Sequence, residues 1–179
     1  HRLEKKYATE GLDLSRSVLC RSAQHCAELL APIYEEMKRH VLSGPAIHTD
    51  DTPVTLQESS TGGRRQARIW IYRSLDGVQV FDFTESRARD GPRAFLGDYS
   101  GYLIADAYPG YDAFFGPEGA TEVACWAHAR RKYVDAEATD AELSKQAVAR
   151  IRELYAVERA AKEQGLDADG VAELRRREA

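Results

Sequence analysis

Two short stretches end apolar text on acids. In AIHTDDTPVTL an apolar start runs into Asp50 and Asp51, and in GYLIADAYPGYDAFF the run 102–105 stops at Asp106. A carboxylate at the end of a buried strand is costly unless it is paired, hydrogen-bonded or bound to a cation. Two such groups held together repel each other and resist ionisation. A divalent cation removes both penalties. Mg²⁺ or Mn²⁺ takes oxygen ligands, commonly one or two carboxylates, and keeps positions for water and phosphate. Two ions about 3.5–4 Å apart activate an attacking oxygen and stabilise a leaving one, which is the chemistry of phosphodiester cleavage and strand transfer. An Asp after a strand is also a common Asx-turn or helix cap. Asp51 competes with Asp50, either as the ligand or as a cap on the turn at Thr52-Pro53, and strand parity leaves that choice open.

A third stretch, CWAHARRKY, sets Cys125 and His128 at C-x-x-H spacing. Zinc needs two further ligands, and Cys20, His25 and Cys26 are far away in sequence. Cys125 reads instead as a small buried residue. His128 is the residue to orient an active-site group or contact phosphate. Arg130, Arg131 and Lys132 fall in the first turns of the helix that follows. Facing a cleft they hold DNA backbone; facing water they are solvated surface.

The elements that must position these groups follow from the periodicity. Residues 1–44 read as helical, with a Gly between two helices and Ser15 or Ser17 as a cap. Leu19, Ala23, Cys26, Leu30, Ile33, Met37 and Val41 then recur in steps of three and four as one stripe. Pro32 predicts a kink or a restart inside it. Residues 46–84 turn strand-like. AIHTD is a short first strand. ARIWIYRS alternates Ile69 and Ile71 against Trp70 and Tyr72, and VQVFDFT alternates Val80 and Asp82 against Phe81 and Phe83. QESSTGGRRQ and SLDG are the connecting loops, and Asp76-Gly77 is a hairpin signal. A short helix at DGPRAFL, a strand at GYLIAD, a turn or one helical turn at PGYDAFFG, a strand at TEVACW and further helices from AHARRKY onward complete the order β-β-β-α-β-α-β-α. That order predicts an α/β ribonuclease H-like mixed five-stranded sheet, flanked by an N-terminal helical segment and a C-terminal helical extension. In it the fourth strand lies parallel beside the first, so Asp50 and Asp106 meet at matching strand ends.

The 179 residues suffice for one domain with a helical appendage, and 30% of them are charged. A net charge of −4 argues against a dedicated nucleic-acid binder. The bases are clustered, however, at Arg64, Arg65 and Arg68, at Arg87, Arg89 and Arg93, and at Arg130–Lys132. Three cysteines, an odd number, are no disulfide framework and fit a reducing cytoplasm. No apolar run approaches a membrane span.

Together, HTDDTPV, GYLIADAYPGYDAFF and EVACWAHARRKYVDA, preceded by GLDLSRSVLCRSAQHCAELLAPIYEEM, resemble the insertion sequence 66 family of bacterial transposases over nearly the whole chain. The resemblance implies a DDE-type, ribonuclease H-like catalytic domain that cuts and joins double-stranded DNA with Mg²⁺ or Mn²⁺ in the bacterial cytoplasm. It assigns Asp50 as the first catalytic Asp, with Asp51 where Glu is usual, and Asp106 as the second. Cys125 and His128 match the C-x-x-H signature after the second Asp. The family's third acid, a Glu in an Asn-rich helical motif, has no counterpart here, and Glu153, Glu158 and Glu173 do not match that motif. The expectation is a fragment truncated before that acid and inactive alone, with a helical segment at 1–44, a partial transposase core at 45–140 and the start of a helical insertion at 141–179. Two rival readings stay open. One is a non-catalytic DNA-binding protein that forms a homo-oligomer through the amphipathic stripe; the other is a metal nuclease of the same fold.

Overall fold

The computed structural model describes residues 2–57, 62–88 and 90–179. Part of the expected loop between the first two strands, 58–61, and Arg89 of the second arginine cluster lie outside the described residues. The chain divides into two compact units, residues 1–104 with 108–122 and residues 105–107 with 123–179.

The first unit begins with helix α1 (Arg2–Thr9) and helix α2 (Arg16–Ser43). Ser15 caps α2, its hydroxyl accepting from the Val18 amide at 3.4 Å. Of the two expectations at Pro32 the restart is not met: α2 continues through it. Pro32 removes one amide bond to the preceding turn, but the residues around it, Glu28, Leu29, Leu30 and Ala31 before and Glu35, Glu36 and Met37 after, are strong helix formers.

Three strands follow, β1 (Ala46–Gln57), β2 (Arg64–Ser74) and β3 (Gln79–Thr84), paired antiparallel in sequence order. The turn from β2 to β3 is the one foreseen at Asp76-Gly77: Gly77 sits at φ +97°, and the Ser74 amide donates to the Val78 carbonyl at 3.0 Å. That backbone region favours Gly because it has no Cβ. β1 is longer than expected. It continues through Thr52-Pro53, so Asp51 does not cap a turn there; Pro53 is in register with Arg68. Proline survives in this strand because the register of β1 with its other neighbour ends at His48, and an edge position needs no second ladder.

Helix α3 (Asp90–Leu96) leads to β4 (Tyr102–Ala105), a 3₁₀ turn over Pro109–Phe114 and β5 (Thr121–Ala124). The sheet order is β3-β2-β1-β4-β5, with β4 parallel to β1 through the pairs Ala46↔Tyr102, Ile47↔Leu103 and His48↔Ile104. One face of the sheet carries the core of the first unit. Ile47, Trp70, Tyr72, Val80 and Leu103 are buried there beneath Val41, Phe95 and Tyr111. Tyr72 stacks on Phe95 with centroids 3.7 Å apart, and Thr49 and Tyr111 share a buried hydroxyl bond of 3.0 Å. The opposite face exposes Ile69, Phe81 and Phe83, as the period-two alternation predicts.

The second unit is built on helix α4 (Trp126–Asp135), helix α5 (Ala141–Glu163) and helix α6 (Ala168–Glu178). Asp140 and Asp167 cap α5 and α6. Gly165, at φ +63°, lies just past the end of α5 and lets the chain turn there. Ile151, Ala161 and Leu174 are buried between the helices, and Arg175 clasps Glu158 through two bonds of 2.7 and 2.8 Å.

Candidate functional site

Period two along β1 assigns the two neighbouring acids to opposite faces. Asp51 shares parity with buried Ile47 and Thr49, and its side chain is only 3% exposed. There it is fully engaged: Arg68 Nη1 donates to one carboxylate oxygen at 2.8 Å, and Arg87 donates to the other through Nε at 3.0 Å and Nη2 at 2.8 Å. The Arg87 guanidinium also lies over the Tyr108 ring, 4.1 Å from its centroid, and the Tyr108 hydroxyl donates to the Arg87 carbonyl. Two of the clustered arginines are thus committed to a carboxylate inside the protein, and Arg65 donates to Glu85 at 2.8 Å.

Asp50 lies on the other face, exposed, in register with Ile71 of β2. Its Oδ1 accepts from the Asp51 amide at 2.8 Å. His48 shares that parity. Desolvation, followed by the nearby Arg73 charge, holds its imidazole below the usual histidine range.

Asp106 belongs to the second unit and follows the last residue of β4, half-buried. The Cys125 amide donates to the Ala105 carbonyl at 3.2 Å. This bond ties the residue before Asp106 to the residue that opens α4. His128, half-buried, stands in the first turn of that helix. Within the second unit the backbone therefore brings the strand end that carries Asp106 to the helix start that carries His128. Arg130, Arg131 and Lys132 are exposed along α4. Cys125 is half-buried rather than fully buried, and Cys20 and Cys26 are exposed.

Among the described residues no group of three or more His, Cys, Asp or Glu side chains is gathered as a metal cage. A hard cation such as Mg²⁺ does not need one, since one or two carboxylates with water and phosphate oxygens satisfy it. The exposed Asp50 suits that donor role. Asp51, with both oxygens held by guanidinium groups, does not. Sequence reasoning missed the Asp51–Arg68–Arg87 cluster. The available signal was the core-side parity of Asp51, together with Arg68 standing diagonally across the β1–β2 ladder from it.

Among the described residues no helix is long and apolar enough to cross a membrane. A family model described as Transposase IS66 family matches residues 1–179. Similar curated proteins come from Sinorhizobium fredii. Uncharacterized protein y4hP is 29% identical over 149 residues, covering 75% of this chain and 26% of that protein. Uncharacterized protein y4qI is 26% identical over 191 residues, covering 98% and 35%. The chain thus spans about a third or less of the length of these relatives.

Proposed function

This chain belongs to the transposase IS66 family, and on that premise we propose that it forms part of a DDE-type, ribonuclease H-like catalytic domain that cuts and joins DNA. The observation that carries the reading is the parallel register of β1 and β4. His48 and Ile104 are partners. Asp50 stands two residues beyond the first and Asp106 two residues beyond the second, with the same parity. Residues 45–140 are read as the partial core and 141–179 as the start of a helical insertion.

In this reading Asp50 and Asp106 are the carboxylates that hold Mg²⁺ or Mn²⁺. The cation supplies activation of the attacking oxygen and charge stabilisation of the leaving oxygen in phosphodiester transfer. The chain's own residues do the rest. The Asp51 amide orients Asp50 through its bond to Oδ1. His128 stands at the start of α4 to orient a reacting group or contact phosphate. Arg130, Arg131 and Lys132 hold the DNA backbone and fix its position without reading sequence. No covalent protein intermediate is required; catalysis rests on positioning and electrostatics.

The test uses the full-length transposase with Asp50→Asn and, separately, Asp106→Asn. Both variants are expected to retain DNA in a filter assay and to lose Mg²⁺-dependent nicking and strand transfer by at least about 10³-fold. Strand transfer at the unaltered rate in either variant removes that residue from the site. Nicking without joining in the unaltered protein favours a nuclease of the same fold.

A further inference from the structure

The ladder between β1 and β4 stops at His48. Beyond it, among the described residues, β1 is laddered to β2 alone. A strand laddered on one side is more easily displaced than one laddered on both. Asp50 stands on that stretch, yet a metal-binding carboxylate has to be held within about 0.5 Å of its productive place. Side chains on the core face of β1 take over from the missing ladder. Thr49 shares its buried hydroxyl bond with Tyr111, in the 3₁₀ turn that follows β4. Two residues on, Asp51 is gripped by Arg68 from β2 and by Arg87 from the connection between β3 and α3.

Arg87 is fixed in its turn. Its guanidinium lies over the Tyr108 ring, and its carbonyl accepts from the Tyr108 hydroxyl. Trp70 is the register partner of Asp51 on β2. Its Nε1 donates to Thr84 Oγ1 at 2.7 Å, and Thr84 Oγ1 donates to the Ser86 carbonyl at 2.7 Å, one residue before Arg87. The Trp70 ring centroid lies 6.1 Å from that of Tyr108 and 6.1 Å from that of Tyr111. These contacts close a loop that runs from Asp51 to Arg87, Tyr108 and Trp70 and back across the ladder to Asp51. A buried ion pair adds little stability over an apolar filling of the same volume, because desolvation offsets the attraction. What it adds is direction, since a guanidinium fork meets a carboxylate in one plane. With its side chain so held, the backbone of Asp51 is fixed, and its amide donates to Asp50 Oδ1 at 2.8 Å. We propose that Arg87 and Tyr108 are positioning residues for Asp50 and act through Asp51, by setting the amide that holds the Asp50 carboxylate. Tyr108 follows Asp106 by two residues, so the same contacts fasten the chain just beyond the second acid. The proposal rests on the reading of Asp50 as a ligand of Mg²⁺ or Mn²⁺.

The test is Mn²⁺ binding to the full-length transposase, with free Mn²⁺ read by electron paramagnetic resonance. The unaltered protein is compared with Asp50→Asn, Arg87→Lys and the double variant, and circular dichroism checks the fold of each. Lys keeps the charge at position 87 and loses the fork and the ring stack. Losing a partner that orients a metal ligand costs about 10–100-fold in metal affinity, so Arg87→Lys is expected to weaken Mn²⁺ binding by at least about 10-fold. In the Asp50→Asn background the same change is expected to have no further effect, because its route to the cation is gone. Undiminished binding in Arg87→Lys, with Asp50→Asn weakened, overturns the positioning role and leaves the metal reading standing. Equal losses in both backgrounds overturn it as well, since a loosened fold acts without Asp50. Undiminished binding in Asp50→Asn removes the metal reading and this proposal with it. Should Arg87→Lys lose its fold, Tyr108→Phe decides by the same comparison, because it keeps the ring and deletes the bond to the Arg87 carbonyl.

Discussion

Asp50 and Asp51 share a chemistry and differ only in the face of the strand they occupy. The buried Asp51 is paired with two guanidinium groups. Removing one partner from a buried ion pair leaves uncompensated charge and costs about 3–5 kcal/mol. Asp51 is buried but the Arg68 and Arg87 side chains keep 21% and 38% exposure, so water partly solvates the charge left behind and Asp51→Ala is expected to lower the stability of the chain by about 1–3 kcal/mol in urea unfolding. Asp50→Asn, at an exposed position, is expected to change stability by less than about 0.5 kcal/mol while removing strand transfer from the full-length protein. If Asp51→Ala instead leaves stability intact, the arginine pair carries no structural role. Tyr72 makes a converse case. Its hydroxyl is buried and makes no hydrogen bond among the described residues, and burial pushes its ionisation far above the ordinary phenol range. An unsatisfied buried hydroxyl costs about 1–3 kcal/mol, so Tyr72→Phe is expected to raise the urea midpoint, and a lowered midpoint would show that the hydroxyl is satisfied in solution.

At the scale of elements, the β2–β3 turn links to the end of α2 through one carboxylate. Asp76 accepts from the Ser74 hydroxyl and lies 2.7 Å from His40 Nε2. Those hydrogen bonds, Ser74 first and His40 next, hold its carboxyl below the usual aspartate value. A depressed carboxylate contributes stability above its unfolded-state pKa and loses it as pH falls through the folded value. Thermal scans from pH 6 down to about pH 2 should show the unaltered chain losing more stability below about pH 4 than Asp76→Asn does; parallel curves would remove Asp76 from the acid response. The turn itself was legible because Asp-Gly between two alternating runs has one economical solution. The alternation of Trp70 and Tyr72 against Ile69 and Ile71 was legible for the same local reason. The continuation of β1 through Pro53 was not. It depends on where β4 stops pairing, and no local pattern encodes that. The Asp51 cluster was half legible: its parity could be counted, but Arg87 arrives from 36 residues away, and only the folded chain brings it there. The unbroken course of α2 through Pro32 likewise reflects helix propensity summed over 28 residues rather than the single breaker.

For the whole molecule, a net charge of −4 sets the background against which DNA must be bound. A uniformly acidic surface repels a polyanion, so binding depends on where the bases remain available. Arg68 and Arg87 are committed to Asp51 and Arg65 to Glu85, which withdraws two of the three bases of the first cluster and one of the second from phosphate. Arg130, Arg131 and Lys132 are exposed along α4, where the proposed DNA contact places the phosphates. Each phosphate neutralised releases counterions, and the slope of log K against log salt is about −0.9 per contact on duplex DNA. Replacing all three by Ala in the full-length protein should weaken binding roughly equally on specific and unrelated duplexes and make the slope shallower by up to about 2.7. Fluorescence anisotropy at several KCl concentrations reads both quantities. An unchanged slope would place the phosphate contacts elsewhere and return these three side chains to ordinary solvated surface. A loss confined to one duplex sequence would make them readers of bases rather than holders of the backbone.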